Sequence, residues 1–160
     1  ILDHWGVGRS EAVPSAIRHS MACPAYPTCG LAVAESERAL PTLIREIALI
    51  QRDAGIESQN ISYRMAGCPK GCSRPYLGEV GFVGTTLGKY DVFLGGDTEG
   101  TRLNELYMHN VKLEDIPDSL RGPLDEYSRT RRPAEGFGDW CRRQGVGELA
   151  ERHALVEVTA

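Results

Sequence analysis

The longest periodic pattern of hydrophobic and polar positions lies in the first third of the chain. Hydrophobic side chains recur at steps of three and four between Leu40 and Ile50, and charged residues occupy the other positions. This pattern predicts a helix over residues 31–54, with a kink or two abutting helices at Pro41 because proline removes a backbone donor. Gly55 is a natural residue to follow the end of that helix.

Alternating segments before and after this helix predict strands at residues 61–66, 79–84 and 89–94, and a less regular strand at 15–22. The second and third of these are joined by a turn at Leu87-Gly88. Tyr90, Val92 and Leu94 are expected on one face of the last strand. Two more helices are predicted at 112–132, broken at Pro117 and Pro123, and at 137–144.

The order of these elements is roughly β-α-β-β-β-α, which predicts an α+β fold with a mixed β-sheet flanked by helices. We expect residues 1–14 to end a preceding element, residues 15–147 to form the domain, and residues 148–160 to form a tail without clear periodicity. Residues 1–8 are interpreted as the last turn of a helix, and the start at Ile1 suggests a piece of a longer protein.

Composition narrows the class of protein. The chain has 160 residues, of which 41% are hydrophobic and 25% charged, and its formal net charge is −4. Such a balance argues against a nucleic-acid module held by bulk charge. No apolar run is long enough to span a membrane, and no leader is visible, so we expect a cytoplasmic protein without a membrane partner.

Four of the five cysteines form two pairs with short spacing. Cys23 and Cys29 are separated by five residues, and Cys68 and Cys72 by three. Each pair lies in a loop that contains proline and glycine, so a fixed backbone can present its thiols while passing close to a bulky group. The fifth, Cys141, lies in a predicted helix and is expected to be a partly buried small residue.

Four interpretations of the paired cysteines remain open. They are a zinc site, which the longer spacing fits poorly, disulfides, unreacted buried cysteines, and an iron–sulfur cluster. The last is favoured because four thiolates are the usual ligand set of such clusters. The spacing leaves the type of cluster undecided.

The segments around the cysteines resemble the sulfite reductase haemoprotein family over about residues 15–147. The first cysteine loop carries the resemblance through Ser20-Met-Ala-Cys23 and the run from Ala32 to Arg38, and the second through Gly67-Cys68-Pro-Lys-Gly71-Cys72-Ser-Arg74-Pro75. Further segments also match: 79–84, 88–90, 94–96, 100–102 and 135–139. The resemblance implies the nitrite/sulfite reductase 4Fe–4S domain-like fold.

This resemblance implies two cofactors, a 4Fe–4S cluster and sirohaem. Carried over to this chain, the cluster ligands are Cys23, Cys29, Cys68 and Cys72, with Cys72 also bridging to the sirohaem iron. The residues implied to flank the cofactors are Ala22, Ala66, Gly67, Lys70 and Gly71. The family usually has Asn at the position of Lys70 and often Thr at that of Ala66, and we expect the lysine to point to solvent.

The implied activity is the six-electron reduction of sulfite to sulfide by an assimilatory sulfite reductase. Alternatives are a nitrite reductase of the same family, a stand-alone 4Fe–4S electron-transfer module and a small zinc-stabilised interaction domain. The family's cationic catalytic residues belong to a preceding half, so this chain carries no catalytic residue and is expected to be inactive without that N-terminal remainder.

The sequence of residues 74–76 and 82–84 favours ferredoxin over a flavoprotein as the electron donor. Five arginines near the end of the chain form either a solvated helix face or a surface for an acidic ferredoxin. These are Arg129, Arg131, Arg132, Arg142 and Arg143.

Overall fold

A single five-stranded sheet, in the order β1-β2-β3-β4-β5, organises the molecule. The structure is a computed structural model, which describes residues 3–6, 8 and 10–153, without the side chains of residues 3 and 11. The strands are β1 (Ser20–Ala22), β2 (Tyr63–Ala66), β3 (Val80–Thr86), β4 (Lys89–Leu94) and β5 (Glu105–Lys112).

The sheet is mixed, as the sequence predicted. β1 pairs with β2 and β2 with β3 in parallel, whereas β3, β4 and β5 are antiparallel. In the part of the chain that the structure describes, five helices accompany it: α1 (Ser15–Arg18), α2 (Leu40–Asp53), α3 (Ile116–Thr130), α4 (Phe137–Gln144) and α5 (Val146–His153). Short 3-10 turns are Asp3–Trp5, Ser10–Ala12, Pro75–Leu77 and Leu113–Asp115.

One face of the sheet forms the main core. The side chains of Tyr90, Val92 and Leu94 are fully buried, which confirms the predicted inward face of β4. Buried residues of α2 and α3 pack in the same cluster, as do Trp140 and Leu149 from the last two helices. Among the described residues, no helix is long and apolar enough to cross a membrane.

The helix predicted over residues 31–54 begins only at Leu40. Residues 31–39 form turns because their polar groups bond to a distant segment: the Val33 and Ala34 amides donate to the Gly67 carbonyl. Pro41 therefore stands in the first turn of α2, where its missing N–H costs nothing, and the helix is not kinked there. Gly55 follows the helix with φ +69°, as expected of a residue just past a helix end.

The helix α3 runs unbroken through Pro123, so the predicted break there is wrong. A proline at this position leaves the carbonyl of Ser119, four residues earlier, without its helical donor. The buried hydroxyl of Tyr107 on β5 donates to that carbonyl at 3.0 Å. The neighbouring strand β5 thus supplies a hydrogen-bond donor to the carbonyl that the proline leaves unpaired. Pro117 lies in the first turn and causes no break either.

The other differences concern weakly patterned segments. The strand predicted at 15–22 is α1 followed by β1, and the tail predicted from residue 148 is part of α5 as far as His153. The sequence analysis missed β5 because half of its eight side chains are both polar and exposed, and its buried residues, Tyr107 and Val111, do not alternate with them. Where the sequence predicted the last turn of a helix, at residues 1–8, the structure has a 3-10 turn at Asp3–Trp5. Ile1, Leu2 and Val7 lie outside the described residues, as do residues 154–160.

A buried carboxylate, that of Glu79, ties three elements together at the start of β3. It accepts hydrogen bonds from the Ser62 amide at 2.9 Å, just before β2, and from the Gly138 amide at 3.0 Å, in the first turn of α4. Glu79 therefore caps α4 from a distant strand, which suits the positive end of the helix dipole. Burial raises the pKa of Glu79, although its hydrogen bonds to Gly138 and Ser62 act in the opposite direction.

We predict that Glu79→Gln weakens the fold and removes a pH dependence. The raised pKa means that the folded carboxyl holds its proton more tightly than the unfolded one, so the wild-type chain loses stability as pH rises from the ordinary carboxyl pKa through the raised one. The amide also turns an NH₂ towards one backbone donor, which lowers the free energy of unfolding by about 1–3 kcal/mol.

Urea unfolding at several acidic to neutral pH values measures both effects. The control is Glu148→Gln, which changes an exposed residue of α5. If the Glu79→Gln variant and the wild-type chain showed parallel stability curves, the titration of Glu79 would not be coupled to folding.

Candidate functional site

Both cysteine loops leave the same end of the sheet. Cys23 follows directly after β1 and Cys68 comes two residues after β2, and these strands are parallel neighbours with Ala22 opposite Met65. The carboxyl ends of parallel strands meet at one edge of a sheet. The Cys23 amide donates to the Met65 carbonyl at 3.1 Å, so the ladder continues into the first loop.

The first cysteine loop, residues 23–29, is closed by short-range hydrogen bonds. The Cys29 amide donates to the Ala25 carbonyl at 2.7 Å, and the Ala32 amide donates to the Cys29 carbonyl at 3.1 Å. The chain then turns back, and the Val33 and Ala34 amides donate to the Gly67 carbonyl at 2.9 and 3.0 Å. The segment after the first loop is therefore bonded to the second.

Gly67 is the point where the two loops touch. Its amide donates to the Cys23 thiol sulfur at 3.3 Å. A Cβ at this position would lie 2.5 Å from the Ala25 Cβ and 2.5 Å from the Ala34 carbonyl oxygen. The space beside Gly67 is therefore filled by protein, and the glycine is needed for the loops to approach each other. Gly84 on β3 also leaves room for this junction, since a Cβ added there would lie 2.7 Å from the Gly67 carbonyl oxygen.

The second cysteine loop, residues 68–72, depends on side chains to which the sequence analysis assigned no structural role. The hydroxyls of Ser36 and Ser73 both donate to the Met65 carbonyl, at 2.6 and 2.7 Å, and both residues are buried. The Tyr76 hydroxyl donates to the Pro69 carbonyl at 3.2 Å. A serine that follows a Cys-rich loop directly, as Ser73 does, is a signal that could have been used.

Gly71 gives the second loop its tight bend. Its φ is +68°, in the region that favours glycine, and a Cβ there would lie 3.1 Å from the Tyr76 ring. The Tyr76 ring itself packs edge-on against Phe93 of β4, with ring centroids 5.3 Å apart. The loop is thus held against the sheet on the side away from the main core.

The four paired cysteines differ in exposure. Cys23 and Cys68 are nearly buried, Cys29 is half-buried and Cys72 is exposed. Lys70 is exposed beside Cys72, as expected for a solvent-facing lysine, whereas Ala66 and Gly67 are buried and Ala22 and Gly71 are half-buried. The site therefore runs from an interior part at the sheet end to a surface part at the tip of the second loop.

Four thiols on two adjoining loops are the kind of donor set that a 4Fe–4S cluster takes. All five cysteines are free thiols. Within residues 3–6, 8 and 10–153, no three His, Cys, Asp or Glu side chains converge as ligands of one metal ion would. A 4Fe–4S cluster makes a different demand, because each thiolate binds a separate iron atom. The amide donor on the Cys23 sulfur is also the kind of contact that stabilises a thiolate ligand.

Cys141 lies apart from this site. It is fully buried in α4 within the main core, whereas the sequence analysis expected a partly buried residue. Burial raises the pKa of its thiol well above the ordinary range, and the nearby carboxylate of Glu79 acts in the same direction. A thiol so protonated is a poor nucleophile and a poor ligand.

The C-terminal arginines are largely occupied by contacts within the chain. Arg143 forms an ion pair with Glu135, with a nitrogen-to-oxygen distance of 2.6 Å, and Arg142 pairs with Glu105. The pairing with Arg143 lowers the pKa of Glu135 to about 2. Arg131 lies over the Tyr127 ring at 5.6 Å from its centroid. This arrangement favours the interpretation of these residues as a solvated face.

Comparison with known proteins identifies relatives that are similar to this chain in sequence. It is 51% identical over 136 residues to the sulfite reductase (NADPH) hemoprotein beta-component of Chromohalobacter salexigens. It is 45% identical over 148 residues to the protein of the same name from Staphylococcus carnosus, and 45% over 152 residues to that from Nitrobacter hamburgensis. This chain is a homologue of the sulfite reductase haemoproteins. No family model matches it.

The chain corresponds to one part of these relatives. The alignments cover 85–94% of this chain but 24–26% of the relatives, so the chain spans about a quarter of their length. Among solved structures, the Mycobacterium tuberculosis NirA protein superposes with a TM-score of 0.72 at 23% identity, over 92% of this chain and 29% of that one. This second similarity concerns the fold, and it confirms the expected α+β class.

We predict that Gly67→Ala separates the two cysteine loops. The added Cβ meets backbone and a short side chain, neither of which can swing away, so overpacking lowers the free energy of unfolding by about 1–3 kcal/mol. The matched control is Gly147→Ala in α5, where a Cβ meets nothing within 4 Å. Chemical unfolding measures the difference. Equal stability of the two variants would show that the loops do not depend on this contact.

Proposed function

We propose that this chain is the cluster-bearing part of an assimilatory sulfite reductase, with Cys23, Cys29, Cys68 and Cys72 as the ligands of a 4Fe–4S cluster. The observation that carries the proposal is the junction at Gly67, which holds the two cysteine loops together at one end of the sheet. Four free thiols on two loops fixed by backbone hydrogen bonds are what such a cluster requires. The homology to sulfite reductase haemoproteins supports it further.

The exposed tip of the second loop is the proposed sirohaem side of the site. Cys72 is exposed there, with the backbone bend at Gly71 behind it, so its thiol would be accessible to sirohaem as well as to the cluster. When bound, the two groups supply the path for electrons to the substrate anion. The small residues Ala22, Ala66 and Gly71 would let the cofactors approach the backbone closely, and the exposed Lys70 would stay at the rim. Gly67 acts behind them, in the contact between the loops.

The reaction that we propose for the whole enzyme is the six-electron reduction of sulfite to sulfide. The matched relatives are named for sulfite, which favours it over nitrite. This chain would hold the cofactors from the proximal side, while the cationic residues that bind the anion and supply protons would come from the part of the enzyme that the relatives possess and this chain does not span. Its free thiols suit the reducing cytoplasm.

The proposed electron donor is the flavoprotein of an NADPH-type enzyme, with ferredoxin as the alternative. The relatives are named as components of NADPH-type sulfite reductases. The residues that favoured ferredoxin in the sequence have other roles here, since Tyr76 holds the second loop and Phe82 is buried in the core. Ferredoxin remains a prediction, to be compared with the flavoprotein in an assay of the assembled enzyme.

We predict that alanine substitution of any one of the four paired cysteines abolishes cluster assembly. Each change removes one iron ligand, so iron and acid-labile sulfide after anaerobic reconstitution should fall to background, and the visible absorption with them. Cys141→Ala is the control and should retain both, because that thiol lies in the core. Iron binding that survives in all four variants would overturn the ligand assignment, and stoichiometric zinc in the wild-type chain would favour the zinc alternative.

We also predict that this chain alone does not reduce sulfite with reduced methyl viologen as donor. Activity and the red absorption bands of sirohaem should appear only after co-expression with the remaining part of a haemoprotein. The reason is that the chain lacks the anion-binding half of the proposed active site. Sulfite turnover by the purified chain would contradict this, and a cluster without sirohaem in the assembled complex would favour the stand-alone electron-transfer module.

A further inference from the structure

The first strand of the sheet has an open edge. Among the described residues, β1 pairs with β2 on one side and has no neighbouring strand on the other. The strand is short, at three residues, but it leads directly into Cys23. Whatever pairs with this edge would therefore adjoin the first cysteine loop.

The register shows which backbone groups face outwards. The Tyr63 amide donates to the His19 carbonyl, and the Cys23 amide donates to the Met65 carbonyl, so residues 19, 21 and 23 direct their backbone groups towards β2. In a parallel ladder the alternate residues face the opposite way, and these are Ser20 and Ala22. Among the described residues, neither of them bonds its N–H or C=O group to another backbone group on the open side.

An apolar trough runs beside this edge. One cavity of about 240 Å³ lies against β1 and the start of α2, and a larger one of about 740 Å³ continues between α1 and the outer face of α2. Ile17 and Arg45 line both cavities, so the two cavities adjoin and together form what we call the trough. Three large apolar side chains beside it are exposed: Val13 (39%), Met21 (44%) and Leu49 (50%).

Charge adds a second feature to the trough. Arg45 lines both cavities and has no ion-pair partner within the described part of the chain. The other arginines of the larger cavity make local contacts: Arg52 pairs with Asp53, and Arg18 donates to the Val13 carbonyl. Glu37 also lines the smaller cavity and Glu57 the larger one, so Arg45, which lines both, is the cation that a carboxylate on an occupant would meet.

We propose that an extended segment from the part of the enzyme outside this chain pairs with the open edge of β1, adding a sixth strand and filling the trough with apolar side chains and one carboxylate facing Arg45. An unpaired strand edge beside apolar pockets is the arrangement by which proteins take up a strand from a partner. The relatives have about three quarters of their length beyond the matched region, which supplies such a segment.

This pairing would act on the cluster site. β1 ends at the residue before Cys23, so a second neighbour on its open side would fix the strand from which the first loop departs. The identity of the occupant rests on the proposed function, whereas the open edge and the trough do not.

The test is hydrogen exchange on the complex obtained by co-expressing this chain with the unmatched remainder of the Chromohalobacter salexigens relative. We expect the Ser20 and Ala22 amides to exchange at least about tenfold more slowly in the complex than in the chain alone, as amides do when they enter a ladder. Unchanged exchange of both amides in an intact complex would overturn the proposal. Iron content and absorption of the same complex report separately on the proposed function.

Two variants sharpen the test. Ala22→Pro removes an outward N–H that β2 does not use, and proline is tolerated on edge strands, so the fold should persist while co-purification of the remainder falls at least about tenfold. Ala22→Val keeps the N–H and serves as its control. Arg45→Glu should weaken the complex similarly, whereas Arg129→Glu, a matched reversal on α3, should not.

The outcomes separate cleanly. Equal co-purification with Ala22→Pro and Ala22→Val would exclude strand pairing. Protection of the same two amides in the chain alone, together with a dimeric mass, would assign the edge to a second copy and also overturn the proposal. Failure of the wild-type chain to capture the remainder would overturn this inference, whereas iron and acid-labile sulfide in the reconstituted chain would still report on the proposed function.

Discussion

The backbone amide and carbonyl of Gly67 join the two cysteine loops, and the candidate site depends on that junction. Its carbonyl accepts two amides from the chain after the first loop, and its amide donates to the sulfur of Cys23. A side chain at this position would occupy the space of Ala25 and of the Ala34 carbonyl. Since buried backbone groups must be paired, the two loops satisfy each other and cannot be moved independently.

Polar side chains also hold the opposite end of the sheet together, through hydrogen bonds to the backbone. Glu79 bonds to the backbone before β2 and to the start of α4. Arg102 donates to the carbonyls of Gly95 and Gly96 and pairs with Asp139, with a nitrogen-to-oxygen distance of 2.8 Å. These residues come from the downstream segments that resemble the family. Their roles here are structural, in keeping the helices after the sheet fixed to strands that lead to the cysteines.

Local pattern predicted the elements whose signal comes from their own residues. The strand at 89–94 has the predicted bounds because its inward residues alternate strictly, and the helix at 137–144 has them because its ends are marked by glycines. The start of α2 was predicted too early because residues 31–39 are capable of helix but bond to Gly67 instead. The continuity of α3 through Pro123 depends on a hydroxyl from β5, which no local pattern reveals.

The sequence alone determined the chemistry: two cysteine pairs in loops of proline and glycine, their order along the chain, the resemblance to sulfite reductase haemoproteins and the isolation of Cys141. These depend on residue identity and spacing, which folding does not change. Only the tertiary structure decided that both pairs leave one end of the sheet, that Cys72 is the exposed member, and that Ser36, Ser73 and Tyr76 hold the loops. Those facts depend on contacts between residues distant in the chain, because strand pairing sets which loops become neighbours.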